Sequence, residues 1–294
     1  MHRPILSAAL LGAATLAACS KEAPKADSAS VAPAGAAATP AASYDPATRT
    51  MTAVAKDFAF LAPDSIPAGW TNIRLINDGP ALHHMAIVRI DSGKTMADVQ
   101  AAMQNPNAPP PKWMVSVGGP NAPDPKAESN ATLNLKPGLH VMLCFIDIPD
   151  HVPHMAKGMV KPFTVTAGTA AGTEPASDVT IALADYSFTV KTGTLSAGKH
   201  TIKIVNDGPQ EHEIELIKLA PGKTMKDFGA WAQKFEGPPP ASAIGGVVGV
   251  LKGDAGYFNV DLTPGTYALL CFVPDAKDKK MHLEHGMVKE FTVQ

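Results

Sequence analysis

The chain has 294 residues, 45% of them hydrophobic, with a formal net charge of -2, enough apolar material for one large core or two of ordinary domain size. The near-neutral balance gives no basic footprint for nucleic acid, and no run of like charge marks an acidic or basic tail. Twenty-four Gly and 27 Pro beside few aromatics suit many short elements joined by turns.

The N-terminal "MHRPILSAALLGAATLAACS" begins weakly basic at His2 and Arg3, runs apolar from Ile5 to Ala18 and meets no charge until Lys21. That stretch is too short to span a bilayer and ends in small residues, the pattern of an export signal. Leu16-Ala17-Ala18-Cys19 resembles the bacterial lipobox, whose cysteine is acylated and becomes the first mature residue. The other reading is an ordinary cleaved signal with an incidental cysteine. Residues 1–18 are therefore expected to be a lipoprotein signal peptide and Cys19 the lipidation site. Ser20, where retained lipoproteins carry Asp, implies sorting to the outer membrane on its periplasmic side. Residues 19–43 are Ala, Pro, Ser and Lys with almost nothing to bury, and read as a disordered tether.

The rest is a duplication. "AGWTNIRLINDGPALHHMAIVRI" matches "AGKHTIKIVNDGPQEHEIELIKL", "SGKTMADVQ" matches "PGKTMKDFG", and "NATLNLKPGLHVMLCFI" matches "YFNVDLTPGTYALLCFV". The offset of about 128 residues suits a domain rather than a solenoid unit. The copies are expected at 44–166 and 178–294, joined by a Gly/Ala/Thr-rich linker at 167–177. "TNIRLIND" and "HTIKIVND" alternate apolar and polar residues and stop at an Asp-Gly-Pro turn. "HHMAIVRI" and "HEIELIKL" resume the alternation, and Pro-Gly turns separate the last strand pairs. One helix per copy is predicted after Gly-Lys-Thr-Met, with Thr95 and Asp98, or Thr224 and Asp227, forming a capping box. The fold class is all-β, two tandem sandwiches each with a short helical insertion.

Polar groups recur at the same places in both copies. His83 and His212 follow the Asp-Gly-Pro turn, and Cys144 and Cys271 end the penultimate strand. His154 and His282 precede the last strand, with Met159 and Met287 five residues on. Two nitrogens, a thiolate and a thioether are the ligand set of a mononuclear blue-copper site. Zinc rarely takes a thioether, and iron–sulfur clusters want more cysteines. Each piece also has a bland reading. A lone Cys at a strand end is usually a small buried hydrophobe, loop histidines usually face solvent, and either methionine alone reads as core. Export would even favour a Cys144–Cys271 disulfide, although equivalent positions in separate domains argue against contact. Copper is favoured because the four candidate ligands recur together, one ion per domain at most.

With these residues in view, both copies resemble the cupredoxins, the plastocyanin and azurin family, over nearly all the chain from about Tyr44. "PGTYALLC" resembles the strand those proteins place before their copper thiolate, and "HMAKGM" and "HLEHGM" are similar to the His-x-x-x-Gly-Met ending of the blue-copper domain in copper nitrite reductase. The resemblance implies a one-electron carrier whose four ligands fall on the positions just named. It departs in two places. The Asn usual after the first histidine is His84 or Glu213, and the Ser or Thr frequent after the cysteine is Phe145 or Phe272, so the loops must be braced differently. Rival donors are His84, His151 and Met155 in the first copy and His285 in the second. The three histidines have no histidine counterpart in the other copy and read as surface or supporting residues.

Two-domain cupredoxin enzymes carry a histidine beside the copper cysteine that feeds a second copper. Here Leu143 and Leu270 precede the cysteines and Phe follows, so the chain is expected not to be an enzyme. The expected function is a lipid-anchored copper protein of the cell envelope that shuttles electrons to a partner such as a cytochrome and binds no nucleic acid. Copper storage or delivery, and a metal-free sandwich serving as an interaction module, are the alternatives.

Overall fold

The alternating segments are strands, and each copy repeats the same series. The computed structural model describes residues 41–104, 110–147, 152–234 and 236–294. The expected signal peptide with Cys19, the tether up to residue 40, and His151 lie outside the described residues. The first copy runs β1 (Ser43–Asp45), β2 (Thr50–Lys56), β3 (Ala59–Leu61), β4 (Ser65–Asn77), β5 (Ala86–Ile90), α1 (Met96–Met103), β6 (Met114–Gly118), β7 (Glu128–Leu135), β8 (Gly138–Leu143) and β9 (Val160–Ala171). The second runs β10 (Val179–Ala184), β11 (Ser187–Thr192), β12 (Gly198–Asn206), β13 (His212–Leu219), α2 (Met225–Ala232), β14 (Ala241–Val250), β15 (Ala255–Leu262), β16 (Gly265–Leu270) and β17 (Val288–Val293).

Pleating explains which residues are inside. Ile73 and Leu75 of β4, and Ile202 and Ile204 of β12, are buried on one face, while the residues between them are only partly covered. Each such side chain contributes about 1.5–3 kcal/mol when removed from water. In the second copy, β11-β10-β12-β15 forms one layer, the end of a sheet that continues through β7 into the first copy, and β14-β13-β16-β17 forms the other, packed over a shared core that includes Ile214, Leu216, Tyr267 and Leu269. In the first copy the corresponding sheets are joined, because β4 pairs β9 at its start and β7 further on. The fold is all-β, as expected. The two predicted capping boxes are present, Thr95 with Asp98 and Thr224 with Asp227. Val99 of α1 and Phe228 of α2 tuck against small apolar clusters on the outer faces of β5 and β13. Among the described residues, no helix is long and apolar enough to cross a membrane.

The copies are hydrogen-bonded to one another. Thr132 of β7 pairs with Tyr257 of β15, and Asn130 and Asn259 exchange two bonds of 2.8 Å. The loop after β6 adds itself to β14: Asn121 N–H donates to Gly246 O, Asp124 N–H to Ala243 O and Val248 N–H to Gly119 O, each at 3.0 Å. Gly119, at φ 149°, sits so close that a Cβ there would lie 1.8 Å from the Met85 carbonyl oxygen, so only glycine fits. Residues 40–294 form one compact unit, and β9 runs on to Ala171, into the stretch whose composition reads as linker.

Candidate metal centres

The first histidine of each site is placed by the turn before it. The Asn77 side chain accepts from Gly79 N–H and donates to Ala81 O and Pro123 O, and Asn206 does the same with Gly208, Gln210 and Val250. The imidazole then folds back over the glycine: a Cβ at Gly79 or Gly208 would meet Nε2 of His83 or His212 at 2.6 or 2.8 Å. That contact explains the glycine of the Asp-Gly-Pro motif.

The remaining donors hang on one loop that doubles back on the cysteine. His154 N–H donates to Ile146 O and Met155 N–H to Cys144 O, then Met159 N–H returns to His154 O, with bonds of 2.8–3.0 Å. The second copy repeats this with His282, Leu283 and Met287 on Val273, Cys271 and His282. In both copies a 3-10 turn that starts at the histidine carries the chain between the donors.

In each copy the two expected histidines and the cysteine converge. His83 and His154 face each other Nδ1 to Nδ1 at 3.0 Å, and Cys144 Sγ lies 3.5 Å from His154 Nδ1. His212 and His282 repeat the 3.0 Å contact, with Cys271 Sγ at 3.4 Å. Within each triad the donor atoms lie within 4.8 Å of one another, and every member is buried. Met159 and Met287 are fully buried in the core cluster that also contains the cysteines. Cys144 and Cys271 are both free, so they form no disulfide.

Electrostatics keep these donors uncharged in the absence of metal. Burial pushes the Cys144 thiol up to about 12, against the backbone N–H groups of Ile146 and His84 that lie on its sulfur. Burial raises the Cys271 thiol as well, helped by the Glu213 carboxyl. All four imidazoles sit below the usual histidine value because they are desolvated. Two neutral rings with Nδ1 atoms 3.0 Å apart can place only one proton between them. The facing lone pairs and adjacent sulfur suit one soft-to-borderline ion, and the cofactor that a set of two imidazoles, a thiolate and a thioether suits is copper.

Composition and spacing did not disclose the supporting residues. Asp57 Oδ1 lies 3.3 Å from His83 Nε2, and Asp185 Oδ1 lies 3.0 Å from His212 Nε2. A carboxylate on the outer nitrogen fixes the tautomer and leaves Nδ1 as the donor. The next residues, Phe58 and Tyr186, stand edge-on to His154 and His282 with ring centroids 5.5 Å apart, and cover both rings. Both adopt left-handed backbone (φ 57° and 64°), a strain of about 1–3 kcal/mol held where it aims two side chains at the site. The signal was present as "KDFAF" and "ADYSF", one repeat offset apart.

His84 and Glu213 are the expected different braces. His84 Nε2 accepts from Phe145 N–H at 2.8 Å, and Glu213 Oε1 from Phe272 N–H at 2.9 Å. Met155 packs partly buried on an outer apolar cluster. His285 lies near the surface against Asp278 and the Tyr186 ring. His285, Asp278 and Asp275 form a third cluster of metal-capable groups, but Asp275 is engaged by Tyr186, Gln210 and two backbone N–H groups.

No family model matches the chain, and no curated protein matches it. Solved structures do. A dithionite-reduced auracyanin from Roseiflexus castenholzii is 20% identical with TM-score 0.29, covering 41% of this chain and 97% of its own. A multicopper oxidase is 12% identical with TM-score 0.26 over 86% of this chain and 92% of its own. A copper nitrite reductase from Nitrosomonas europaea is 16% identical with TM-score 0.22 over 83% of this chain and 93% of its own. At these identities the likeness concerns fold alone. One expectation is corrected: two of these structures carry the names of copper enzymes, and the chain holds two His-Cys-His groups, so the prediction of a non-enzyme does not stand. Leucine at 143 and 270 removes one wiring route to a second copper and says nothing about other chemistry at the sites themselves.

Proposed function

We propose that the chain binds one copper ion at His83, Cys144, His154 and Met159, a second at His212, Cys271, His282 and Met287, and passes single electrons in the cell envelope. The observation that carries this reading is the double convergence of two facing imidazole Nδ1 atoms and a cysteine sulfur, repeated in the two copies to within 0.1 Å. Held by these residues, copper would supply one-electron redox chemistry, and the methionine thioether and the surroundings of the cysteine sulfur would tune its potential. The protein's part is rigidity. Strand ends and a hydrogen-bonded loop hold the donors, Asp57 and Asp185 orient the first imidazoles, and Phe58 and Tyr186 keep water from the second. Anchoring through Cys19, facing the periplasm, and exchange with a cytochrome-like partner complete the proposal, together with two functional domains at 44–166 and 178–294.

The test is copper stoichiometry with the optical spectrum of the chain from Ser43 onward. Two ions per chain and an intense thiolate-to-copper band are expected, and colourless, copper-free protein would sink the reading. Rapid electron exchange with a reduced cytochrome supports the carrier role, whereas ready loss of cuprous ion to a chelator favours storage or delivery.

A further inference from the structure

The two centres are built alike behind the first histidine and differently behind the second. Facing His282 stands Asp275, a carboxylate only 1% exposed, with Oδ2 3.9 Å from the imidazole Nε2. That Nε2 is itself buried and has no hydrogen-bond partner. Four donors hold the carboxylate in place. Its Oδ2 accepts Tyr186 O–H at 2.6 Å and Gln210 Nε2–H at 2.9 Å, and its Oδ1 accepts Lys277 N–H at 2.8 Å and Asp278 N–H at 3.3 Å. A carboxylate that accepts several such bonds stays ionised.

The first copy replaces every member of this set. Phe58 stands where Tyr186 does, and Ala81 where Gln210 does. The bridges Asp147–Pro153 and Pro274–Met281 align Asp147 with Pro274, which puts Ile148 at the sequence position of Asp275. Asp147 itself is exposed. Other charges do not cancel the contrast. Asp185 on His212 is matched by Asp57 on His83, and Lys277, Lys279 and Lys280 are exposed, where solvent and salt screen them.

We propose that Asp275 is a positioning residue that sets the two centres apart in potential: acting through His282, its buried charge makes the second centre harder to reduce, so a chain carrying a single electron holds it at the first. The proposal rests on the copper reading above. Reduction removes one positive charge from a centre, and an anion beside it opposes that loss. A charge about 4–6 Å away changes such an equilibrium tenfold or more. With the width of the imidazole in between, the effect falls at the lower end, about tenfold, which is about 59 mV for one electron.

The experiment is a redox titration of the copper-loaded chain, followed by its optical spectrum. Cys144→Ser reads the second centre alone and Cys271→Ser the first alone. The second should have the lower potential, by about tenfold in its reduction equilibrium. Asp275→Asn removes the charge while its Oδ1 still takes the two backbone N–H groups, and Asp275→Ser is a second neutral replacement. Either should raise the potential of the second centre to near that of the first and leave the first unchanged, whereas Asp275→Glu should keep the second low. Equal potentials, or a higher one at the second centre, overturn the inference without any change in the loop. So does a difference that survives the neutral variants and disappears in Glu213→Gln, the other buried acid that the first copy lacks. Absence of bound copper in the single-site variants would instead overturn the copper reading, and this inference with it.

Discussion

Removing the carboxylate behind the first histidine tests whether the sites are oriented as the structure has them. His212 is fully buried, and its Nε2 has one partner, Asp185 Oδ1 at 3.0 Å. Asp185→Ala leaves a buried N–H without an acceptor, which costs about 1–3 kcal/mol, or roughly 5-fold to 150-fold in copper affinity. Because the Asp185 side chain is itself 31% exposed, water enters the gap and the loss falls near the lower end, about tenfold. Asp185→Asn keeps an acceptor oxygen without the charge, and should cost about threefold. At the first site the contact is longer, 3.3 Å, and Asp57 is 49% exposed, so Asp57→Ala should cost less than Asp185→Ala. Each site is read alone, in a Cys144→Ser or Cys271→Ser background, by competition with a copper chelator. Undiminished affinity in Asp185→Ala, or a larger loss at Asp57, would refute the reasoning.

Other substitutions probe the sulfur, the fold and its pH response. Cys144→Ser and Cys271→Ser should each lower bound copper from two ions to one per chain. They should cost only about 1 kcal/mol of stability, because backbone N–H groups at each sulfur can satisfy the new hydroxyl; copper analysis and chemical denaturation check both points. Gly119→Ala, with no room beside the Met85 carbonyl, should destabilise by at least about 3 kcal/mol in a thermal melt. His200 donates from both nitrogens, to Asp178 and to Ser196 O. Burial would lower its pKa, but those bonds prevail and raise it above the usual histidine value. Asp178, which burial would raise, is held below the usual carboxylate value by His200. The pair therefore stabilises fully between about pH 4 and 6.5. Its contribution fades as pH rises through the raised histidine value and as pH falls through the lowered aspartate value. With Asp178 half exposed it amounts to about 1 kcal/mol, so stability should fall as pH rises above 6.5 in wild type and stay flatter in His200→Gln.

What the sequence disclosed follows from what duplication can mark. His83, Cys144 and His154 were legible because chemically distinctive residues recur one repeat later, and the strands around them because alternation has a period of two. Asp57 recurs as Asp185 and Phe58 as the related aromatic Tyr186, but they lie in a hairpin turn far upstream, and an acidic–aromatic pair in a turn carries no chemical signature of its own. Asn121 has Gly249 near its counterpart position, so no comparison between copies could reveal it. The end of β9 was hidden for another reason. Its Gly/Ala/Thr composition reads as linker, and it becomes strand only because Ser65–Gly69 pairs alongside it.

Asymmetry at the seam has a physical consequence for how the halves behave. Asn121, Ser129, Glu213 and Glu215 are all buried at or beside the contact. Ser129 Oγ donates to Asn121 O at 2.6 Å, and Ala122 N–H donates to Glu215 Oε2 at 3.2 Å. Burial, with the Glu213 carboxyl nearby, pushes Glu215 well above the usual carboxylate range, so it suits this place as a neutral acid. Each such group would cost about 1–3 kcal/mol if buried without its partner, and the partners of several lie in the other half. Halves that came apart and met again would have to desolvate these groups at every encounter, a poor design for a contact that opens. Permanently docked, the same groups fix one register between the β7 and β15 sheets and hold the two cysteine loops in constant relation.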